Sequence, residues 1–129
     1  MNRQLARLLF MLLFLPSAAT AQVHLPGGET PDDYVADARD AIDKENYQYA
    51  VERLTEGIRR FPEAVDIRVE LAELYYDKEL FDLALEHYQA AERLSPDSYS
   101  ILYDTALTLG RLNREGDAIT YLRKIENIF

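Results

Sequence analysis

The chain has 129 residues, no cysteine, no tryptophan, 48% hydrophobic residues and a formal charge of -9 from 23 acidic and 14 basic side chains. That length holds one small domain. The missing cysteines exclude disulfide frameworks, thiol nucleophiles and cysteine-ligated zinc or iron–sulfur centres, and a pI near 4.6 speaks against nucleic acid, whose phosphates need clustered Lys and Arg.

Residues 1–21 have the three parts of a secretory signal: Arg3 and Arg7, an unbroken apolar run from Leu8 to Leu15, and the small pair Ala19 and Ala21. The run is too short for a bilayer, which takes about 20 apolar residues, and Pro16 follows it. Cleavage after Ala21 predicts a mature chain from Gln22 with a charge of -11 and no membrane span, because two arginines leave with the signal. An exported chain without cysteine suits a bacterial periplasm, with secretion as the second choice. Residues 22–30 read as a flexible linker containing a solvated His24.

From residue 31 the chain repeats at a spacing of 34 residues. Ala38, Ala72 and Ala106 recur at that interval, as do Ala50, Ala84 and Ala118. The same register pairs Tyr47 with Phe81, Leu54 with Tyr88 and Leu122, Gly57 with Ala91, and Pro62 with Pro96. Three units result, 31–64, 65–98 and 99–129. Each reads as two amphipathic helices, as in Leu71, Ala72, Leu74, Tyr75 followed by Phe81, Ala84, Leu85, Tyr88. Small residues let two backbones approach, and large ones fill the space around them. Thr30-Pro31-Asp32-Asp33 marks a helix start, and Pro62 and Pro96 end the second helix of their units.

A helix–turn–helix period of this length with alanine, aromatic and proline markers resembles the tetratricopeptide repeat family. The middle unit fits best, through Leu71-Ala72, Tyr75, Phe81, Ala84, Tyr88, Ala91 and Pro96. The first is looser, with Tyr34 where the family favours Trp and Asp37 and Ala41 where it favours Leu and Tyr. The third places Glu115 opposite Tyr47 and Phe81, and Ile125 opposite Gly57 and Ala91. The resemblance implies an all-α fold, an α-solenoid of three stacked pairs in a right-handed superhelix, with a concave groove lined by the first helix of each unit. A unit alone cannot bury its apolar face, and three are about the minimum for a stable array.

Carried over residue by residue, the family's groove positions fall on Val35, Arg39 and Ile42, on Val69, Glu73 and Tyr76, and on Tyr103, Leu107 and Arg111. Asp32, Asp43, Asp66, Asp77, Ser100 and Gly110 complete the set. Tyr76 and Tyr103 are expected to be exposed there as contact residues. The family's clamp for a C-terminal carboxylate is absent: its positions hold Val35, Arg39, Glu70, Ser100 and Asp104, of which only Arg39 suits an anion. Charge is uneven along the array. Units one and two carry nine acids each against five and three bases, whereas unit three carries four of each.

No phosphate loop, HExxH pair or nucleophile elbow occurs, so no catalytic, cofactor or metal residue is assigned and no small-molecule substrate is expected. His87 reads as a helix-surface histidine. The function these features imply is a non-catalytic adaptor in the cell envelope whose groove takes a basic or aromatic segment of a protein partner. The alternatives are a holdase-like helper for unfolded exported chains and, more remotely, an enzyme without recognisable motif. Ile125, Ile128 and Phe129 are expected either to fold back on the first helix of unit three or to contact a second copy in a weak homodimer.

Overall fold

The computed structural model describes residues 28–129; the expected export segment and His24 lie outside the described residues. Six helices follow in order: α1 (Pro31–Asp43), α2 (Tyr47–Arg60), α3 (Val65–Asp77), α4 (Phe81–Leu94), α5 (Tyr99–Arg111) and α6 (Glu115–Ile128). No strand is present among the described residues.

Local chemistry sets the helix ends. Thr30 is extended and caps α1, with its backbone N–H donating to Asp33 Oδ2 at 2.7 Å, while Pro31 supplies the first helical residue and Asp32 and Asp33 meet the positive helix end. Asn46 accepts from the Tyr49 N–H at the start of α2, whose last turn carries Arg59 and Arg60 against the negative end. Within each pair the turn is the same. Glu45, Glu79 and Asn113 have φ of 57°, 59° and 57°, and the N–H groups of Asn46, Leu80 and Arg114 reach back to the carbonyls of Ala41, Tyr75 and Leu109. This is a left-handed helix stop in which Glu45, Glu79 and Asn113 stand where glycine is usual.

Helices pack as α1/α2, α3/α4 and α5/α6, and each pair stacks on the one before. The repeated alanines sit at the closest approaches: Ala38, Ala50, Ala72 and Ala84 have no exposed surface. The first core joins two units, grouping Tyr34, Leu54, Ile67, Leu71 and Leu74. Burying each of the large aliphatics contributes about 1.5–3 kcal/mol. The second groups Ala72, Ala84 and Tyr88 with Tyr75 and Tyr76 at its edge. Gly57 is a close approach, because a Cβ there would lie 2.9 Å from Tyr34 Cγ and 3.0 Å from Ile67 Cδ1.

Side-chain contacts begin before residue 31. Glu29 accepts from Arg53 at 2.9 Å, from Arg60 at 2.7 Å and from the Tyr34 hydroxyl at 2.7 Å. The Arg53 guanidinium also lies 4.1 Å from the centre of the Tyr34 ring. Burial raises the Tyr34 hydroxyl pKa, and the Glu29 hydrogen bond adds to it. No helix among the described residues is long and apolar enough to cross a membrane.

Candidate functional site

The first helices of units one and two form a groove. Two adjoining depressions of about 300 and 260 Å³ run between α1 and α3, the first lined by Val35, Arg39, Val69, Glu70 and Glu73 among others, the second by Arg39, Ile42, Glu73 and Asp77. Five of the nine expected groove residues therefore meet there. Tyr76, Tyr103, Leu107 and Arg111 lie outside these two depressions.

Helical spacing places the charges. Glu73 and Asp77 are one turn apart on α3, and α5 brings Asp104 close enough to act electrostatically on Glu73. The carboxylates of Glu73, Asp77 and Asp104 make no ion pair or hydrogen bond among the described residues. Burial raises the Glu73 carboxyl above the usual carboxylate range, and the charges of Glu70 and Asp104 push it further. Burial alone raises Asp104. Tyr88 beneath them is also raised, first by burial and then by Asp104, Glu73 and Asp77. The groove thus holds unneutralised negative charge against an apolar floor of Val35, Ile42 and Val69.

Several expectations change. Arg39 is no free cation: its Nε and Nη2 donate to both carboxylate oxygens of Glu70 at 3.0 and 2.8 Å. Glu70 is buried, so this forked pair ties α1 to α3 and neutralises the one base near the groove acids. Tyr76 is half-buried rather than exposed, with its ring edge-on to Phe81 at 5.3 Å. Arg111 lies over the Phe81 ring at 4.9 Å and approaches Glu79 at 3.8 Å. Both groove arginines are therefore occupied. Tyr103 and Leu107 are exposed, at 40% and 42%, and Tyr103 stacks on Tyr99 at 5.9 Å.

His87 is not a surface histidine. It is half-buried, stacks on Tyr75 at 5.6 Å, and leaves Nδ1 buried without a hydrogen bond. Burial lowers its pKa, partly opposed by Glu86 and assisted by Arg68. At the far end Phe129 lies edge-on to Tyr99 at 5.7 Å, the fold-back contact on α5, yet stays 70% exposed. Ile128 is exposed and Ile125 partly buried.

Two features escaped the sequence. Asp104 follows from helical register with α3, which the family positions alone did not bring out as part of the acidic cluster. A further depression, about 390 Å³ and walled by Tyr47, Val51, Leu74, Tyr75 and Leu80, lies between α2 and α3, with Lys78 Nζ 3.2 Å from the centre of the Tyr47 ring. No group of three or more His, Asp or Glu side chains among the described residues is placed to hold a metal ion.

The model of the tetratricopeptide repeat matches residues 35–99 and 70–127. The chain belongs to the tetratricopeptide repeat family. Among solved structures it is similar to a point mutant of MamA, with TM-score 0.68 and 16% identity over 80% of this chain and 75% of that one. MamA AMB-1 gives 0.67 and 16% over 80% and 61%, and MamA MSR-1 gives 0.67 and 16% over 77% and 57%. The chain thus spans three quarters of the first and about three fifths of the other two. Such identities carry the fold alone. No curated protein sequence matches. The tetratricopeptide repeats support a protein–protein interaction scaffold.

Proposed function

We propose that this tetratricopeptide repeat protein is a non-catalytic adaptor of the bacterial cell envelope, whose α1/α3/α5 face takes a basic segment carrying an aromatic residue. The observation that carries the reading is the unpaired cluster of Glu73, Asp77 and Asp104, with Glu73 and Asp104 held above the usual carboxylate range. A Lys or Arg placed there relieves the repulsion that raises Glu73, and the exposed Tyr103 and Leu107 beside it offer an aromatic guest a surface. Attraction of this kind acts mainly on the association rate and weakens with salt.

The test is fluorescence anisotropy with a labelled peptide alternating Lys and Tyr. Affinity is expected to fall about tenfold between low and physiological salt, and to fall again with Glu73→Gln combined with Asp77→Asn. It also drops as acid protonates Glu73 and Asp104, because protonation removes the charge the guest meets. Affinity indifferent to salt and to the double variant overturns the electrostatic reading.

The envelope location rests on Arg3, Arg7, the run Leu8 to Leu15, and Ala19 with Ala21. Protein recovered from the periplasm is expected to begin at Gln22. Recovery of the intact chain from the cytoplasm alone contradicts it.

A further inference from the structure

The 34-residue register allows one seam of the stack to be compared with the next. Between units one and two, Arg39 of α1 lies across Glu70 of α3 and donates to both of its carboxylate oxygens, at 3.0 and 2.8 Å. One unit on, the same two positions are Glu73 of α3 and Asp104 of α5. The seam keeps its carboxylate and loses its cation. An acid stands where the arginine stood, close enough to Asp104 to be affected by its charge, and neither carboxylate makes an ion pair among the described residues.

A second observation points to the same place. Tyr88 of α4 is only 3% exposed and has Val69 and Tyr76 at the edge of its cluster. Its hydroxyl makes no hydrogen bond among the described residues, although polar groups this deep are nearly always paired. Asp104, Glu73 and Asp77 all act on that hydroxyl electrostatically, which aims it at the acids and not into the apolar core. The matching residue in unit one is Leu54, fully buried, beside a seam that already has Arg39. A polar atom thus appears at this depth only where the cation is missing, and one phenol oxygen and two carboxylates converge there without a partner.

We infer that the residue a protein partner presents here is an arginine, whose guanidinium takes the seat between Glu73 and Asp104 that Arg39 fills one unit earlier. The seat presupposes the basic guest proposed above and specifies which side chain it carries. Glu73 and Asp104 belong to different helices, so one cation has to reach both. A planar guanidinium does so with five N–H donors in a fixed fork, enough for both carboxylates and the Tyr88 oxygen, whereas an ammonium has three donors around a point charge. The seat is open to the groove. The Arg39 side chain is 66% exposed where it lies over Glu70, and Glu73 at the same position is exposed as well. Tyr103 beside Asp104, and Leu107 one turn beyond it, are exposed and give the aliphatic stem of the arginine apolar cover.

Anisotropy titrations with matched labelled peptides, carrying one Arg or one Lys in a frame of Tyr and Ala, read the preference of the protein for arginine. It is expected to be about tenfold, the worth of one further hydrogen bond between charged groups. Asp104→Asn is expected to bring the ratio near unity. Tyr88→Phe, which keeps the ring packed, is expected to lower it about threefold. Asp77→Asn removes charge but not the seat, so it weakens both peptides alike and leaves the ratio unchanged. Filling the seat from within needs no guest: Glu73→Arg with Asp104→Glu recreates the pair of unit one, and is expected to raise the thermal midpoint by about 5 °C and abolish the arginine preference. Equal affinity for the two peptides overturns the seat while the basic groove stands, and binding of neither overturns both. A preference that survives Asp104→Asn, or a midpoint that falls in the double variant, also overturns the seat.

Discussion

Gly57 shows how far one missing methyl can matter. Helix propensity alone favours Ala there by about 1 kcal/mol, but its Cβ would lie 2.9 Å from a ring carbon of fully buried Tyr34. That ring is held by Glu29 and Arg60 through its hydroxyl and by Arg53 over its face, so it has no room to retreat. Overpacking of this kind costs about 1–3 kcal/mol, and it outweighs the propensity gain. Gly57→Ala is expected to lower the thermal midpoint by about 5 °C in a calorimetric scan, whereas a Cβ at Gly116 meets nothing within 4 Å and Gly116→Ala should raise it slightly. The sequence marked position 57 as small but not why. Its closest neighbours come from α1 and α3, 23 residues before and 10 after it, and only the stack brings them together.

At the scale of the element, α3 and α4 form the most regular pair, and their seam carries the titration that folding disturbs. His87 has its pKa lowered chiefly by burial. The unfolded chain binds a proton near pH 6.5 that the folded chain takes up only at lower pH. Stability from this group is therefore present above 6.5 and lost as pH falls below it. The thermal midpoint is expected to drop between pH 7.5 and 5.5, and His87→Gln to flatten the drop. An unchanged pH profile in that variant counts against the assignment. The helices themselves were legible, because alanine and large apolar residues fall at both the helical and the 34-residue interval. Side-chain partners were not. Arg39 finds Glu70 at a separation of 31 residues, and His87 finds Tyr75, both set by the packing of one helix on another rather than by any motif. Tyr76 was misjudged for the same reason, since its cover is Phe81 in the next helix.

Across the whole molecule the excess of acids lies in units one and two, whereas unit three is balanced. Screening weakens capture of a basic guest by Glu73, Asp77 and Asp104, so binding at that face fades as salt rises. The charge gradient was visible in the sequence. Its meaning at the seam of α3 and α5 was not, because Glu73 and Asp104 look like ordinary helix-surface acids until Arg39 and Glu70 are seen paired at the same positions.

Glu29 stands at the start of the described chain but is held by Arg53 and Arg60, 24 and 31 residues downstream. A chain that emerges N-terminus first, from a ribosome or through a membrane pore, therefore cannot complete its opening unit turn by turn. Tyr34 and the glutamate beside it wait in solvent until the second arginine has appeared. The first repeat then closes as a threshold event, once Arg60 has joined Arg53 at that carboxylate.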